Sequence, residues 1–354
     1  GMVYVPAHKN GKMHKLKTQA CGGNGMVLVK ILKINWGLDF LWSKIYDKGM
    51  VKERQGKCVM ILYHNPLCVL ACTGTQNRIK EQSMYYIGID LGTSAVKLLL
   101  MEGNGKIVRV TSREYPLYFP HPGWSQQNPE DWYKQSMDGL CELLDGIDKS
   151  RVAGISFGGQ MHGLVVLDEN DQVIRPAILW NDGRTFREND YLNQVIGKEK
   201  LSEYTANISF TGFTAPKILW MKNNEPENFA RIKKIMLPKD YLAYRLTGVH
   251  CTDVSDASGM LLFDVKNRCW SEEMCEICGV HKEQLAKVYE SYETVGTLLP
   301  EIAQNLGLPE TVKVAAGAGD NAAAAVGTGT VGNGQCNISL GTSGTIFISS
   351  KEFG

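Results

Sequence analysis

The chain has 354 residues, of which 44% are hydrophobic and 21% charged, which is typical of a globular protein with room for roughly two domains. Its net charge of +1 hides an asymmetry, because residues 1–83 hold 13 Lys/Arg against 4 Asp/Glu and the remainder holds 25 against 33. The basic residues are scattered without interleaved aromatic side chains, which argues against a nucleic-acid-binding arm. The apolar run Cys58–Cys72 is too short and too interrupted to span a membrane.

Residues 1–83 show no sustained helical or strand period. We interpret them as a basic leader of unassigned structure that need not be native to the protein, and Met84 as the start of the first clear pattern. The ten cysteines have irregular spacing with a single CxxC, Cys275 and Cys278, so the sequence predicts reduced thiols in a cytoplasmic protein.

From Tyr85 onward, three β-rich runs are separated by the turns GTS and EGNG, which predicts an antiparallel meander of YYIGIDL, AVKLLLM and KIVRVTSREYPL. A helix should follow, with Asn128 as N-cap and Pro129 at its first position. The predicted buried face of that helix consists of Tyr133, Met137, Leu140 and Leu144.

The next segments alternate between strands and helices. The runs VAGISF, LVVLD, PAILW and VKVAA predict strands, and APKILWMKN, PKDYLAYRLTG (Pro238 to Gly248) and the alanine-rich run after Asp320 predict helices. This pattern predicts an α/β fold with a mixed sheet. Glycine-rich turns follow several of the strands, and such turns are where α/β proteins place their sites.

The tetrapeptide LGTS occurs at residues 91–94 and again at 340–343, and a series of further motifs lies between the two copies. They are, in order, IGIDLGTSAVK, HPGWSQQNPEDW, GGQMHG, RPAILWNDGR, GFTAPKILWM, LPKDYLAYRLTG, TDVSDASG, GAGDNAAAAVG and ISLGTSGT. This series resembles the FGGY sugar kinases of the actin, sugar kinase and Hsp70 superfamily. The resemblance implies a ribonuclease H-like fold that occurs twice, each copy opening with a phosphate-binding hairpin.

On that resemblance, residues 84–333 form the sugar-binding domain. Residues 334–354 form the first hairpin of a second, ATP-binding domain that is truncated. In such a hairpin the backbone N–H groups of a tight glycine turn point at phosphate oxygens. The resemblance assigns this phosphate-binding role to Gly92, Thr93, Ser94, Thr342, Ser343 and Gly344.

The resemblance implies that Asp320 is the general base, Asn321 a sugar contact and Asp90 the Mg²⁺ ligand. From the residues alone, Asp320 has the alternative of a helix N-cap and Asp90 that of a turn aspartate. Magnesium suits Asp90 in principle, because it binds few carboxylates and keeps much of its hydration. Lys97, on the next strand, is a further source of positive charge.

The same resemblance places Met161 and His162 against a ketose, with Trp180 as a wall and Asp182 as an acceptor for sugar hydroxyls. The alternative for His162 is a structural histidine, and the alternative for Trp180 is core packing. Three more tryptophans, Trp124, Trp132 and Trp220, are predicted to serve packing only.

Within the family, the motifs are most similar to the kinases that phosphorylate D-xylulose, which implies D-xylulose or a related ketose, ATP and Mg²⁺ as partners and allows for a homodimer. The alternatives are a family kinase for gluconate, L-ribulose, L-fuculose or glycerol, and a sugar-binding fragment without catalysis. An ATPase of the actin or Hsp70 type shares the hairpin, but GGQMHG and GAGDNAAAAVG oppose it.

Overall fold

The computed structural model describes residues 27–31, 84–340 and 344–351. The strands are β1 Val27–Ile31, β2 Tyr85–Leu91, β3 Ala95–Glu102, β4 Ile107–Glu114, β5 Gln126–Gln127, β6 Val152–Gly159, β7 Val165–Leu167, β8 Ala177–Ile178, β9 Lys234–Met236, β10 Cys251–Asp253, β11 Phe263–Asp264, β12 Cys269–Trp270, β13 Lys287–Tyr289, β14 Thr294–Thr297, β15 Lys313–Ala315, β16 Ala318–Gly319, β17 Cys336–Leu340 and β18 Gly344–Ile348. The α-helices are α1 Pro129–Leu143, α2 Phe186–Asp190, α3 Lys198–Thr205, α4 Thr214–Asn224, α5 Pro226–Ala230, α6 Pro238–Thr247, α7 Val254–Ala257, α8 Glu272–Cys278, α9 Pro300–Leu306 and α10 Asp320–Gly327. A π-helix, Tyr191–Gly197, joins α2 to α3, and two 3₁₀ turns lie at Lys149–Arg151 and Lys282–Gln284.

A mixed sheet of seven strands forms the frame of the molecule. Its order is β14-β15-β6-β2-β3-β4, and β16 also pairs with β6. Strands β2, β6, β15 and β16 run parallel, whereas β3, β4 and β14 are antiparallel to their neighbours. The predicted mixed α/β sheet and the predicted β2-β3-β4 meander are therefore confirmed.

The buried face of α1 agrees with the prediction at Leu140 and Leu144, which are fully buried, and differs from it at the other positions. Its buried residues are Pro129, Trp132, Ser136, Gly139, Leu140 and Leu143, while Tyr133 and Met137 lie at the half-buried border. A Cβ atom at Gly139 would lie 2.5 Å from Leu98 Cδ1 on β3. Because glycine lets the helix backbone approach the sheet there, the contact face is centred on small residues that a pattern of large apolar side chains does not reveal.

Within the described residues, two large hydrophobic cores form. One packs the sheet against α1, α6 and α9, and the other packs α4 and α8 against β7, β8 and β9. Trp132 and Trp220 are buried, and Trp124 packs edge-on against Trp220, as predicted. Each of the six cysteines within the described residues has a free thiol, and none of the helices described there is long and apolar enough to cross a membrane.

The second LGTS copy joins β17 and β18, which pair antiparallel with Leu340 opposite Gly344. Gly344 is therefore the first residue of β18, whereas Thr342 and Ser343 lie outside the described residues. Strand β18 also pairs antiparallel with β1. A strand at residues 27–31 was not predicted, and most of the interval assigned to the leader lies outside the described residues.

Candidate functional site

Parallel pairing brings two predicted site residues to the same end of the sheet. Strand β6 lies between β2 and β16, and its Gly158 is opposite both Asp90 on β2 and Ala318 on β16. Asp320 follows β16 directly as the first residue of α10. Neighbouring strands are roughly 4.8 Å apart, so Asp90 and the turn with Asp320 face each other across one strand whose end carries no side chain.

Asp90 is a buried carboxyl group, with only 5% of the residue exposed. Its pKa rises to about 8, mainly because burial disfavours its charged form, and secondly because Asp320 adds a like charge. Lys97, directly opposite on β3, lowers it in part. Asp90 is therefore a partly compensated acid beside a second acid, an arrangement characteristic of functional sites.

Asn321 connects the Asp320 turn to the GGQMHG loop. Its side-chain amide donates to Asp320 Oδ1 at 2.9 Å and to the Met161 sulfur at 3.5 Å. A Cβ atom at Gly319 would lie 2.9 Å from Met161 Cγ. The predicted base, the predicted sugar-contact amide and Met161 are thus in direct contact or one residue apart.

His162 has an unusual backbone conformation for a residue other than glycine, with a φ of 69°. Its carbonyl oxygen accepts hydrogen bonds from Lys217 Nζ at 2.7 Å and Thr214 Oγ1 at 3.1 Å, and its ring stacks on Phe213. Nδ1 lies 2.8 Å from the Gly259 carbonyl oxygen. Because a carbonyl only accepts, Nδ1 carries the proton that it donates to Gly259.

The first hairpin, residues 92–94, is held by side chains from three directions. Tyr115 donates its hydroxyl to the Gly92 carbonyl, and Gln127 Nε2 donates to the Thr93 carbonyl at 2.7 Å. Trp180 Nε1 donates to Thr93 Oγ1 at 3.0 Å, so the indole supports the hairpin. The exposed Ser94 lies at the end of this hairpin, ahead of β3.

Asp182 lies apart from this group, and its role as an acceptor for sugar hydroxyls stays a prediction. Its carboxylate accepts four hydrogen bonds, from the Ser125 N–H at 2.5 Å and from the N–H, Nε and Nη2 of Arg184 at 2.9, 2.9 and 2.8 Å. Both side chains of this ion pair are fully buried. A carboxylate with its acceptor positions filled inside the protein serves structure.

The residues present fit a magnesium ion of the kind that nucleotides bring. Asp90 and Asp320 supply hard oxygen donors at the end of the sheet, and no group of three or more His, Cys, Asp or Glu residues that could enclose a metal occurs within the described part of the chain. Mg²⁺ commonly binds through one or two carboxylates together with water and phosphate oxygens. Two carboxylates from the protein are therefore enough for a Mg²⁺ ion whose other ligands are water and phosphate oxygens.

Sequence reasoning missed the buried polar side chains that hold the site in place. Lys217 is fully buried and bonds the carbonyls of His162 and Gly212, and Gln127 links the Thr93 carbonyl to Trp132 and Gln160. Both residues lie within quoted motifs, Lys217 in GFTAPKILWM and Gln127 in HPGWSQQNPEDW. For Lys217 the signal was a charged residue between apolar positions, whereas Gln127 stands among polar residues and has no such signal.

Comparison with known families gives a match over most of the described chain. The profile of the N-terminal domain of the FGGY family of carbohydrate kinases matches residues 85–327. The matched interval contains Asp90, Met161, His162, Trp180 and both residues of the Asp320–Asn321 pair.

Curated and structural relatives agree with that match. The chain is 45% identical over 270 residues to a xylulose kinase of Bacillus subtilis, covering 76% of this chain and 54% of that protein. A crystal structure of a xyloylose kinase from Brucella ovis superimposes with a TM-score of 0.70 at 43% identity, over 75% of this chain and 54% of the other. A gluconate kinase from Lactobacillus acidophilus superimposes with a TM-score of 0.72 at 29% identity, over 74% and 53%. The chain spans about half the length of the curated relatives it matches.

Proposed function

The chain belongs to the FGGY family of carbohydrate kinases, and from that membership we propose that it is the sugar-binding half of an ATP-dependent kinase for D-xylulose. The product would be D-xylulose 5-phosphate. The observation that carries the proposal is the meeting of Asp90, Asp320 and the Met161–His162 pair at one end of the sheet. The 45% identity to a xylulose kinase favours this sugar over the others of the family.

The proposed chemistry assigns one task to each side chain. Asp320, at the start of α10, takes the proton from the sugar hydroxyl, and the N-terminus of a helix favours its ionised form. Asn321, Met161 and His162 orient the ketose. Phosphoryl transfer depends mostly on such positioning and on charge neutralisation.

The hairpin 92–94 would bind phosphate through its backbone N–H groups, held in place by Tyr115, Gln127 and Trp180. Asp90 would hold Mg²⁺, which supplies charge neutralisation at the transferring phosphoryl group. Gly344, Thr342 and Ser343 would contribute from the second hairpin. A homodimer and a cytoplasmic location stay predictions.

Isothermal titration of the chain with D-xylulose, without nucleotide, tests the sugar assignment. We expect binding by the parent, and at least roughly tenfold weaker binding after Asp320→Asn, because a charged hydrogen bond contributes about 1.5–3 kcal/mol. Asp138→Asn, on the exposed surface of α1, is the matched control and should bind like the parent.

The same titration with D-gluconate and glycerol separates the alternatives. Tighter binding of D-gluconate would replace D-xylulose as the substrate, in line with the gluconate kinase among the structural relatives. A folded parent that binds none of these sugars would contradict the proposal.

A further inference from the structure

A buried charge cluster lies beside the Asp320 turn and has no part in the proposed chemistry. Lys239 Nζ lies 2.6 Å from Asp240, 3.0 Å from Asp253 and 3.6 Å from Asp256, and all four side chains are at most 2% exposed. Burial raises the pKa of Asp256 well above its usual range, opposed by Lys239 and reinforced by Asp240, Asp253 and Asp320. Asp320 is thus among the charged groups near the cluster.

Asp253 is the connecting member of this cluster. Its Oδ2 atom accepts hydrogen bonds from the Ser255 hydroxyl at 2.5 Å, the Ser255 N–H at 2.9 Å and the Ser291 hydroxyl at 2.6 Å. Its Oδ1 atom faces Lys239. Asp253 therefore joins the start of α7, where it is the N-cap, to the loop after β13 and to α6.

Both serines continue to the backbone of the turn that carries Asp320. The Gly319 N–H donates to the Ser255 hydroxyl at 3.1 Å, and the Gly317 N–H donates to the Ser291 carbonyl at 3.1 Å. Gly317 has a φ of 77°, and a Cβ atom there would lie 2.5 Å from the Phe157 carbonyl of β6. The turn thus passes very close to β6 and is held at two amides, one of them directly before Asp320.

We propose that Asp253, acting through Ser255 and Ser291, is a positioning residue that fixes the turn 317–319 and thereby aims Asp320 at the sugar. The inference rests on the proposed function in one respect, which is that Asp320 is the base. A positioning error of about 1 Å at a reacting group can lower a rate by roughly a hundredfold, so rigid support of a base has a chemical purpose.

A purely stabilising role explains the Lys239 cluster less well than a positioning role does. A buried ion pair often contributes little or nothing to stability compared with apolar residues of similar size. Here one lysine serves three acids, and the connecting acid holds two serines. One serine contacts the turn through its hydroxyl group and the other through its backbone carbonyl. Hydrogen bonds of that kind fix a geometry, because each removes one way in which the turn can move.

The test uses Ser255→Ala and Ser291→Ala, which keep the Lys239–Asp253 ion pair intact, since Asp253→Asn would endanger folding. Ser258→Ala is the matched control, because that hydroxyl lies on the next turn of the chain and donates to the Ser255 carbonyl. The first readout is amide hydrogen exchange at Gly317 and Gly319, measured by NMR on the glycine-labelled chain without sugar. The second is the affinity for D-xylulose by titration.

We expect Ser255→Ala to speed exchange at Gly319 and to weaken D-xylulose binding by roughly fivefold, the effect of one lost hydrogen bond. Ser291→Ala should act in the same direction, and Ser258→Ala should change neither readout. Unchanged exchange at Gly319 in Ser255→Ala overturns the inference. So does faster exchange with unchanged sugar affinity, or an equal effect of Ser258→Ala.

The two proposals fail in different ways. A parent chain that binds none of the sugars contradicts the proposed function, whatever the exchange rates are. The exchange measurement needs no sugar, and it alone then decides whether the hydroxyls linked to Asp253 hold the turn.

Discussion

Two buried aspartates, Asp182 and Asp90, have opposite surroundings in the same molecule. Asp182 accepts four hydrogen bonds, three of them from Arg184, whose guanidinium also lies 3.7 Å from the centre of the Trp124 ring. Asp90 has as its charged neighbours another acid, Asp320, and Lys97 on the adjacent strand. Burial is the same for both, but only the first acid is fully compensated.

The difference separates an acid whose charge is fully paired within the fold from one whose charge is only partly compensated. A fully paired acid has few acceptor positions for a ligand, and removing its charge leaves Arg184 buried and unpaired. A buried acid whose charge is only partly compensated lowers the free energy of unfolding of the free protein. Binding of a cation compensates the charge and removes that loss. Sites that bind ligands commonly carry such a local cost.

The largest effect that this comparison predicts is for Asp182→Asn. It should lower the free energy of unfolding by about 3–5 kcal/mol, because it leaves the buried Arg184 without its counter-charge. Urea denaturation measures this loss. Glu142→Gln, which breaks the half-exposed pair with Arg113, is the control and should cost under about 1 kcal/mol.

A second readout on the same variant tests whether Asp182 contacts the sugar. At a temperature where Asp182→Asn is folded, it should bind D-xylulose as tightly as the parent. Weaker sugar binding without any loss of stability would restore Asp182 as a sugar contact and remove the contrast with Asp90.

Asp90→Asn should change stability in the opposite direction. Between the ordinary carboxyl pKa of 3.8 and the folded value of about 8, the unfolded chain has lost a proton that the folded chain keeps, so stability falls as the pH rises. Asparagine removes this dependence. We expect little difference from the parent near pH 4, and a gain in the free energy of unfolding that grows as the pH rises to about 8.

Urea denaturation at pH 4.5 and pH 8.5 checks the sign. A stabilisation that is equal at both pH values would show that the gain comes from packing, and a destabilised Asp90→Asn would place Asp90 with Asp182 as a structural acid.

The sequence predicts the sheet and its turns more completely than it predicts the contacts of the helices. Strand runs bounded by glycine turns predicted β2, β3, β4, β6 and β15, because alternation and turn chemistry are local properties. The buried face of α1 was predicted at Leu140 and Leu144 but not at Gly139, because the close approach of Gly139 to Leu98 depends on the partner strand. The segment from α2 through α3 was not predicted, since its π-helix has no clear sequence signature.

For the candidate site, too, local motifs were predictable and contacts that depend on the fold were not. Asp90 and Asp320 were identified on motif residues, and the strand order then brought them together. Arg184 is only two residues from Asp182, but nothing local shows that the pair is sealed beneath Trp124. Lys239 is 14 positions before Asp253, and only the fold brings the two together.

The smallest effect concerns His162, whose ring is held by the Gly259 carbonyl. Gly259 does not have a positive φ, so alanine is acceptable to its backbone, but the new Cβ would lie 2.5 Å from His162 Cε1. Moving the ring should cost about 1–3 kcal/mol of stability. If His162 orients the sugar, the folded Gly259→Ala variant should bind D-xylulose more weakly than the parent does. Gly154→Ala on β6 is the control, because its nearest neighbour would be 3.5 Å away. Equal sugar affinity in Gly259→Ala and Gly154→Ala would move His162 to the structural side of the comparison, beside Asp182.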